Sequence, residues 1–241
     1  MTAQDLISRR AFLASTAVGG VVGLAGCAGG DGAGNTTASA TATATESPTA
    51  TTGGGTGSPT GTGSDGATLP TPTLGPSDAE VTVSVYEDFL CGHCAHYNLN
   101  GFPEIRSNYV DSGSIRYEHH DFPVVHDTWS WRSAIAARSV QATVGQDAYW
   151  TYAKRLFAKR QDTSIELYRS LAGEVDADPD VVERHVLEEE WRPVVEADQE
   201  RGIEKGVQGT PTFFVNGTEV DPAGHDSWYG AVSEAIDSAL D

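Results

Sequence analysis

Apolar and polar residues alternate over Val81-Thr82-Val83-Ser84-Val85-Tyr86, with valine at every inward position, which predicts a strand that Glu87 to Leu90 lead out of. The period then lengthens, and a helix is expected from the next residues to about Tyr109, kinked at Pro103. Ser114-Ile115-Arg116-Tyr117-Glu118-His119 reads as a second strand ending near Phe122-Pro123. From about Asp127 to Arg201 the spacing is helical: an Ala-rich stretch from Trp129 to Val144, then Tyr149, Tyr152, Ala153 and Leu156, then Ile165, Tyr168, Leu171 and Ala172. Asp178-Pro179 pairs an N-cap with a proline at the first helical position, and Pro193 is expected to interrupt the pattern after it. Strand character returns at Thr212-Phe213-Phe214-Val215 and Thr218-Glu219-Val220. Between them lies Asn216-Gly217, a hairpin signal because both central residues of such a turn need positive φ. Trp228, Val232, Ala235, Ile236 and Ala239 form the apolar stripe of a closing amphipathic helix.

Before residue 73 neither period is present. Ser8-Arg9-Arg10-Ala11-Phe12-Leu13 places two arginines ahead of an apolar stretch too short to span a bilayer. This resembles an export signal of the twin-arginine type. Leu24-Ala25-Gly26-Cys27 resembles a lipobox, which implies that Cys27 becomes a lipidated N-terminus; the other reading is a short uncleaved anchor. Residues 28–72 are Thr, Ser, Gly, Ala and Pro without Lys or Arg, and cannot bury enough surface to offset their ordering entropy. They are expected to be a disordered linker, spanning about 35–45 Å as a coil. Residues 73–241 then form one domain, long enough for a proper core.

Charge sharpens that picture. The chain has 34 acids and 15 bases, a net −19. From residue 80 onward 29 acids face 13 bases, a net −16, with only three lysines. This disfavours nucleic acid and anionic membrane surfaces as partners. An acidic surface poor in lysine resembles proteins of extreme halophiles, in which salt screens the self-repulsion.

Cys91-Gly92-His93-Cys94 carries the chemistry. These are the only cysteines after Cys27, and the C-x-x-C spacing lets two sulfurs close a ring across one helical turn and cycle between dithiol and disulfide. At a helix N-terminus, unpaired N–H groups and the helix dipole stabilise a Cys91 thiolate, while Cys94 lies one turn in. His93, between them, is expected to add to that stabilisation. About 115 residues later, Gly209-Thr210-Pro211-Thr212 precedes a strand.

Together these features resemble the DsbA family of thiol–disulfide oxidoreductases. The resemblance covers the whole folded domain. It implies an α/β thioredoxin-like fold, with a central mixed sheet and a helical insertion at about 124–203 between β-α-β and β-β-α halves. It also implies a cis Pro211 beside the cysteines, with the backbone of Thr210 pairing with substrate. One departure stands out. Thioredoxin-like proteins often bury an acid six residues before the first cysteine, and here that residue is Val85. Glu87 shares its strand parity and is the expected substitute, ahead of Asp88.

The remaining polar clusters read blandly. His96 covers its helix, one of His119 and His120 faces solvent at the strand end, and Glu188-Glu189-Glu190 is a solvated helix face. The expected function is oxidation of thiols in exported proteins at the outer face of the cytoplasmic membrane. The cofactor is nothing beyond the Cys91–Cys94 disulfide, a membrane redox partner recycles it, and the protein is a monomer held to the membrane only through Cys27. Isomerase or reductant donor are alternatives within that chemistry. Copper or zinc binding by Cys91, His93, Cys94 and His96 is the alternative of another class.

Overall fold

The computed structural model describes residues 60–62, 68–126 and 128–241. The expected signal, Cys27 and most of the expected linker lie outside the described residues. Two short strands precede residue 73: β1 (Thr60–Thr62) pairs antiparallel with β2 (Thr68–Pro70), where Leu69 is buried, and Thr71 beyond it is buried too.

The main sheet places a parallel pair at its centre. Its strands are β3 (Thr73–Leu74), β4 (Val81–Glu87), β5 (Ile115–Asp121), β6 (Thr212–Val215) and β7 (Thr218–Glu219), in the order β3-β5-β4-β6-β7. β4 and β5 run parallel, with Val85 opposite His119 and Glu87 opposite Asp121; every other pairing is antiparallel. Helices cover both faces, so the end of β4 is buried at both parities, and Val85, Tyr86 and Glu87 are all inside. The turn after β6 is as the sequence requires: Asn216 and Gly217 have φ of 47° and 82°, and Asn216 Oδ1 accepts the Thr82 N–H at 2.9 Å.

The helix after β4 is one run, residues 92–110, labelled α1. It is α-helical over Gly92–His96 and Phe102–Ile105, and widens to π geometry over Tyr97–Gly101 and Arg106–Val110. Pro103, which has no N–H to continue the ladder, sits between the two widened turns rather than at a sharp break.

The helical insertion comprises α2 (Trp129–Thr143), α3 (Gln146–Lys159), α4 (Ile165–Gly173), α5 (Pro179–Leu187) and α6 (Arg192–Glu204). Their apolar faces form one core: Tyr149, Tyr152, Leu156 and Phe157 of α3 pack with Tyr168, Val182 and Val186, and reach Phe89 and Cys94 at the site. Asp178 caps α5 by accepting the Asp180 N–H at 2.9 Å. Pro193 opens α6 instead of interrupting it. Glu188-Glu189-Glu190 lies in the turn between α5 and α6, with Glu189 at φ 55°, and not on a helix face as expected. On the other face of the sheet, α7 (Trp228–Leu240), capped by Ser227, packs with α1 over Val83, Val85, Tyr117 and Phe213. Among the described residues no helix is long and apolar enough to cross a membrane.

Candidate active site

Three segments meet at the C-terminal end of β4. The first is the turn from β4 into α1. The Cys91 N–H donates to Asp88 O at 3.0 Å, and the Asp88 carboxylate accepts the Leu90 N–H at 2.8 Å. Its other oxygen accepts the N–H groups of Val124 and Val125, at 2.8 and 2.7 Å, and so ties the loop after β5 to the same turn. Asp88 is therefore occupied with backbone and is not the acid beside the thiols.

Cys91 is the N-cap of α1, and both cysteines are free thiols. Cys91 is 6% exposed and Cys94 fully buried. Their acidities are driven apart. Hydrogen bonding from the Cys94 thiol, then from Thr210 and the Cys94 and His93 backbone, outweighs burial and lowers Cys91 to about 5. Burial, the hydrogen bond to Cys91 and the negative field of Glu87 push Cys94 well above the usual thiol range. His93 points to solvent, and Gly92 is exposed beside it.

The second segment is the loop before β6. The Thr210-Pro211 bond is cis, Pro211 is buried, and Cys91 Sγ lies 3.2 Å from Thr210 O. That contact joins residues 119 apart in sequence into one wall.

The third element is buried behind the thiols. Glu87, on the face of β4 that α1 covers, is 1% exposed, and Asn98 Nδ2 donates to its Oε1 at 2.7 Å and to Cys94 O at 3.0 Å. Burial raises the Glu87 carboxyl to about 8 against the lowering effect of Asn98. Its Oε2 is buried without a hydrogen-bond partner, as is His119 Nε2, 3.6 Å away. The other ring nitrogen of His119 meets the Tyr149 hydroxyl at 2.8 Å.

Neither strand-end histidine faces solvent. His119 and His120 are 1% and 3% exposed, on opposite faces of β5: His119 meets Tyr149 of α3, and His120 meets Asp198 of α6. His120 stacks on Tyr86 with ring centroids 4.7 Å apart, and its Nδ1 lies 3.2 Å from Asp198. Arg138 of α2 clamps Asp121 at 2.6 Å, and also Asp198 of α6, so a polar seam crosses the interface between sheet and insertion. Sequence reasoning missed Asn98, His119, Tyr149, Arg138 and Asp198. A signal was present in Glu118-His119-His120-Asp121, four ionisable residues in the strand that pairs along its whole length with the valine-rich β4.

Residues 67–237 match the family model described as Thioredoxin. The chain belongs to the thioredoxin family. It is 27% identical over 175 residues to disulfide bond formation protein D of Bacillus subtilis, covering 70% of this chain and 77% of that one. Oxidised BdbD from Bacillus subtilis superposes with a TM-score of 0.65 at 26% identity, over 76% of this chain and 98% of that one. The fold is also that of alpha-DsbA1 from Wolbachia pipientis, with a TM-score of 0.61 at 20% identity, over 70% of this chain and 90% of that one. This thioredoxin-family chain is a DsbA-like thiol–disulfide oxidoreductase, with the helical insertion of that architecture between the two halves of its fold.

Proposed function

We propose that the protein oxidises the thiols of exported polypeptides outside the cell membrane, through a Cys91–Cys94 disulfide. The observation that carries this reading is the separation of the two thiol acidities, with Cys91 lowered to about 5 and Cys94 raised. A thiolate stabilised in the reduced form makes the disulfide a stronger oxidant, by on the order of 2–3 kcal/mol at pH 7.

A substrate thiolate attacks Cys91 Sγ, the Cys91–Cys94 bond breaks, and Cys94 leaves. Its thiolate is unstable in that buried position and takes a proton from Glu87, which burial keeps protonated near neutral pH. A second substrate thiolate then attacks the substrate sulfur of the mixed disulfide. Cys91 departs as a stable thiolate, so two electrons pass from substrate to enzyme. In the reverse direction Cys91 is the nucleophile, Cys94 resolves the mixed disulfide, and Glu87 accepts the proton. Thr210 O and the backbone before cis Pro211 lie where an extended substrate segment pairs, and the exposed His93 side chain stands beside the sulfur that substrate reaches.

The twin-arginine-type segment and the lipobox at Cys27 support a site tethered to the outer face of the cytoplasmic membrane, with a membrane redox partner restoring the disulfide. The chain acts there as a monomer. Isomerase activity is the second reading, since an acidic Cys91 also serves reshuffling. For the metal reading, no group of three His, Cys, Asp or Glu side chains among the described residues is arranged to hold a metal ion, and His93 and His96 are exposed while the thiols are buried.

A Cys94→Ala variant expressed in its host is expected to accumulate mixed disulfides through Cys91 with exported proteins. Equilibration of the wild-type protein with glutathione is expected to place its potential well above about −270 mV, the value of thioredoxin; a potential that low sinks the oxidant reading.

A further inference from the structure

Beside the thiols the surface opens into a cleft of about 460 Å³ between α1 and the end of α3. It starts at Gly92, next to Cys91, and its apolar floor is Ala95, Leu99, Phe157 and Ala158. Arg160 and Asp162 line it from the segment after α3, and His96 from α1.

Arg160 is anomalous. Every other arginine among the described residues has a carboxylate or ring partner: Arg106, Arg116, Arg138, Arg155, Arg169, Arg184, Arg192 and Arg201 pair with acids, and Arg132 lies over Trp129. The Arg160 guanidinium has none, in a domain where 29 acids face 13 bases. Arg160 follows α3, where a cation suits the negative end of the helix, yet it makes no side-chain hydrogen bond to the last carbonyls. Its side chain reaches across the cleft instead. A Cβ placed on Gly92 would stand 3.6 Å from Arg160 Nη2, an ordinary contact distance, so the guanidinium lies beside the active-site turn. The cation thus meets the start of α1, whose free N–H groups also favour negative charge.

We propose that this cleft seats the segment of a thiol-bearing polypeptide that flanks the cysteine being oxidised, and that Arg160 selects segments with a carboxylate close to that cysteine. The inference rests on the oxidoreductase reading above and names the substrate class for the same site. The apolar floor takes a neighbouring side chain of the segment, and the otherwise repulsive acidic surface makes Arg160 the local point of attraction.

The test uses the oxidised full chain and two synthetic dithiol peptides that differ only by Asp or Lys beside the first cysteine. Rates are followed by stopped-flow fluorescence at several salt concentrations. The wild-type protein is expected to oxidise the Asp peptide about fivefold faster than the Lys peptide at low salt, with the ratio shrinking as salt rises. Arg160→Glu is expected to invert the ratio, and Arg160→Lys to retain its direction. A wild-type ratio near one overturns the proposal. So does an Arg160→Glu variant that slows both peptides equally, because Arg160 then acts on the thiols or the fold. Failure of the wild-type protein to oxidise either peptide instead defeats the oxidant reading on which the proposal stands.

Discussion

Glu87 Oε2 and His119 Nε2 face each other across 3.6 Å in the interior, both buried and neither hydrogen-bonded. They are not an ion pair. Burial raises Glu87 to about 8, while burial and the Arg138 charge lower His119 to about 3, so near neutral pH the carboxyl keeps its proton and the imidazole is uncharged. Two neutral groups are the cheaper occupants of a dry pocket. The arrangement leaves a protonated acid behind Cys94 at the pH where a buried thiolate needs one.

Glu87→Gln should therefore slow the steps in which Cys94 changes protonation. Single-turnover oxidation of a dithiol peptide is expected to fall by about 10- to 100-fold near pH 7, since general acid–base assistance contributes on that order. The wild-type rate should decline as pH rises through about 8, where Glu87 loses its proton, and the Gln variant should lack that step. Equal rates across pH 6–9 would remove Glu87 from the mechanism.

The same substitution should stabilise the fold. The folded-state pKa of Glu87 is raised, to about 8, above the unfolded carboxyl value of 4.5. Its stabilising contribution is therefore complete below the unfolded value, and is lost as pH rises through the folded one. Glutamine has no such loss. The Tm of reduced Glu87→Gln should match wild type near pH 4.5 and exceed it increasingly up to pH 8, by about 1–3 kcal/mol in stability. A Gln variant less stable than wild type at pH 8 would contradict the burial argument.

Cys91 should titrate far below an ordinary thiol. Its alkylation by iodoacetamide in the reduced protein is expected to rise with pH around a midpoint near 5, while Cys94 stays unreactive in the folded state. The depressed value stabilises the reduced fold fully only above the ordinary thiol value of about 9, and that contribution is lost as pH falls from there through about 5. A Cys91 midpoint near 8.5 would leave the oxidant reading without its physical basis.

Much of this was legible because periodicity and turn chemistry act locally. The valines of β4, the Asp178-Pro179 cap, the Asn216-Gly217 turn and the C-x-x-C at a helix start each carry their own reason within a few residues. The seam behind the site does not. His119 and His120 look like a polar strand end, and only tertiary packing, with Tyr149 of α3 against one and Asp198 of α6 against the other, encloses them. Glu87 could be reached by strand parity from Val85, but its partner Asn98 lies on α1 and His119 on the neighbouring strand. The unpaired state of Arg160 is a property of what surrounds it, which no local pattern encodes.

Close packing between insertion and sheet predicts a sensitive glycine. At Gly202 of α6 an added Cβ would stand 2.6 and 2.7 Å from the Phe122 ring and 2.9 Å from Tyr86. These are buried rings and cannot swing away into solvent. Gly202→Ala, which would gain helix propensity on an exposed helix, is expected instead to cost about 1–3 kcal/mol, read as a lower denaturation midpoint. An unchanged midpoint would mean that α6 rides further from the sheet than described.

Arg138 holds the same interface by charge. It is 1% exposed, bonds Asp121 at 2.6 Å and Asp198 alongside, and donates to Gln141 at 3.0 Å. Although burial opposes it, Arg138 with His120 keeps Asp198 below its usual range, so this carboxylate stays ionised inside the protein. Arg138→Met leaves that charge without its main partner and is expected to destabilise by about 3–5 kcal/mol, with the loss easing as pH falls and the acids take up protons. Adding Asp121→Asn and Asp198→Asn to Arg138→Met should recover part of that loss, because the cost lies in the stranded charges more than in the missing attraction. A triple variant as unstable as Arg138→Met alone would show that Arg138 holds the interface through its packing, with the carboxylates as bystanders.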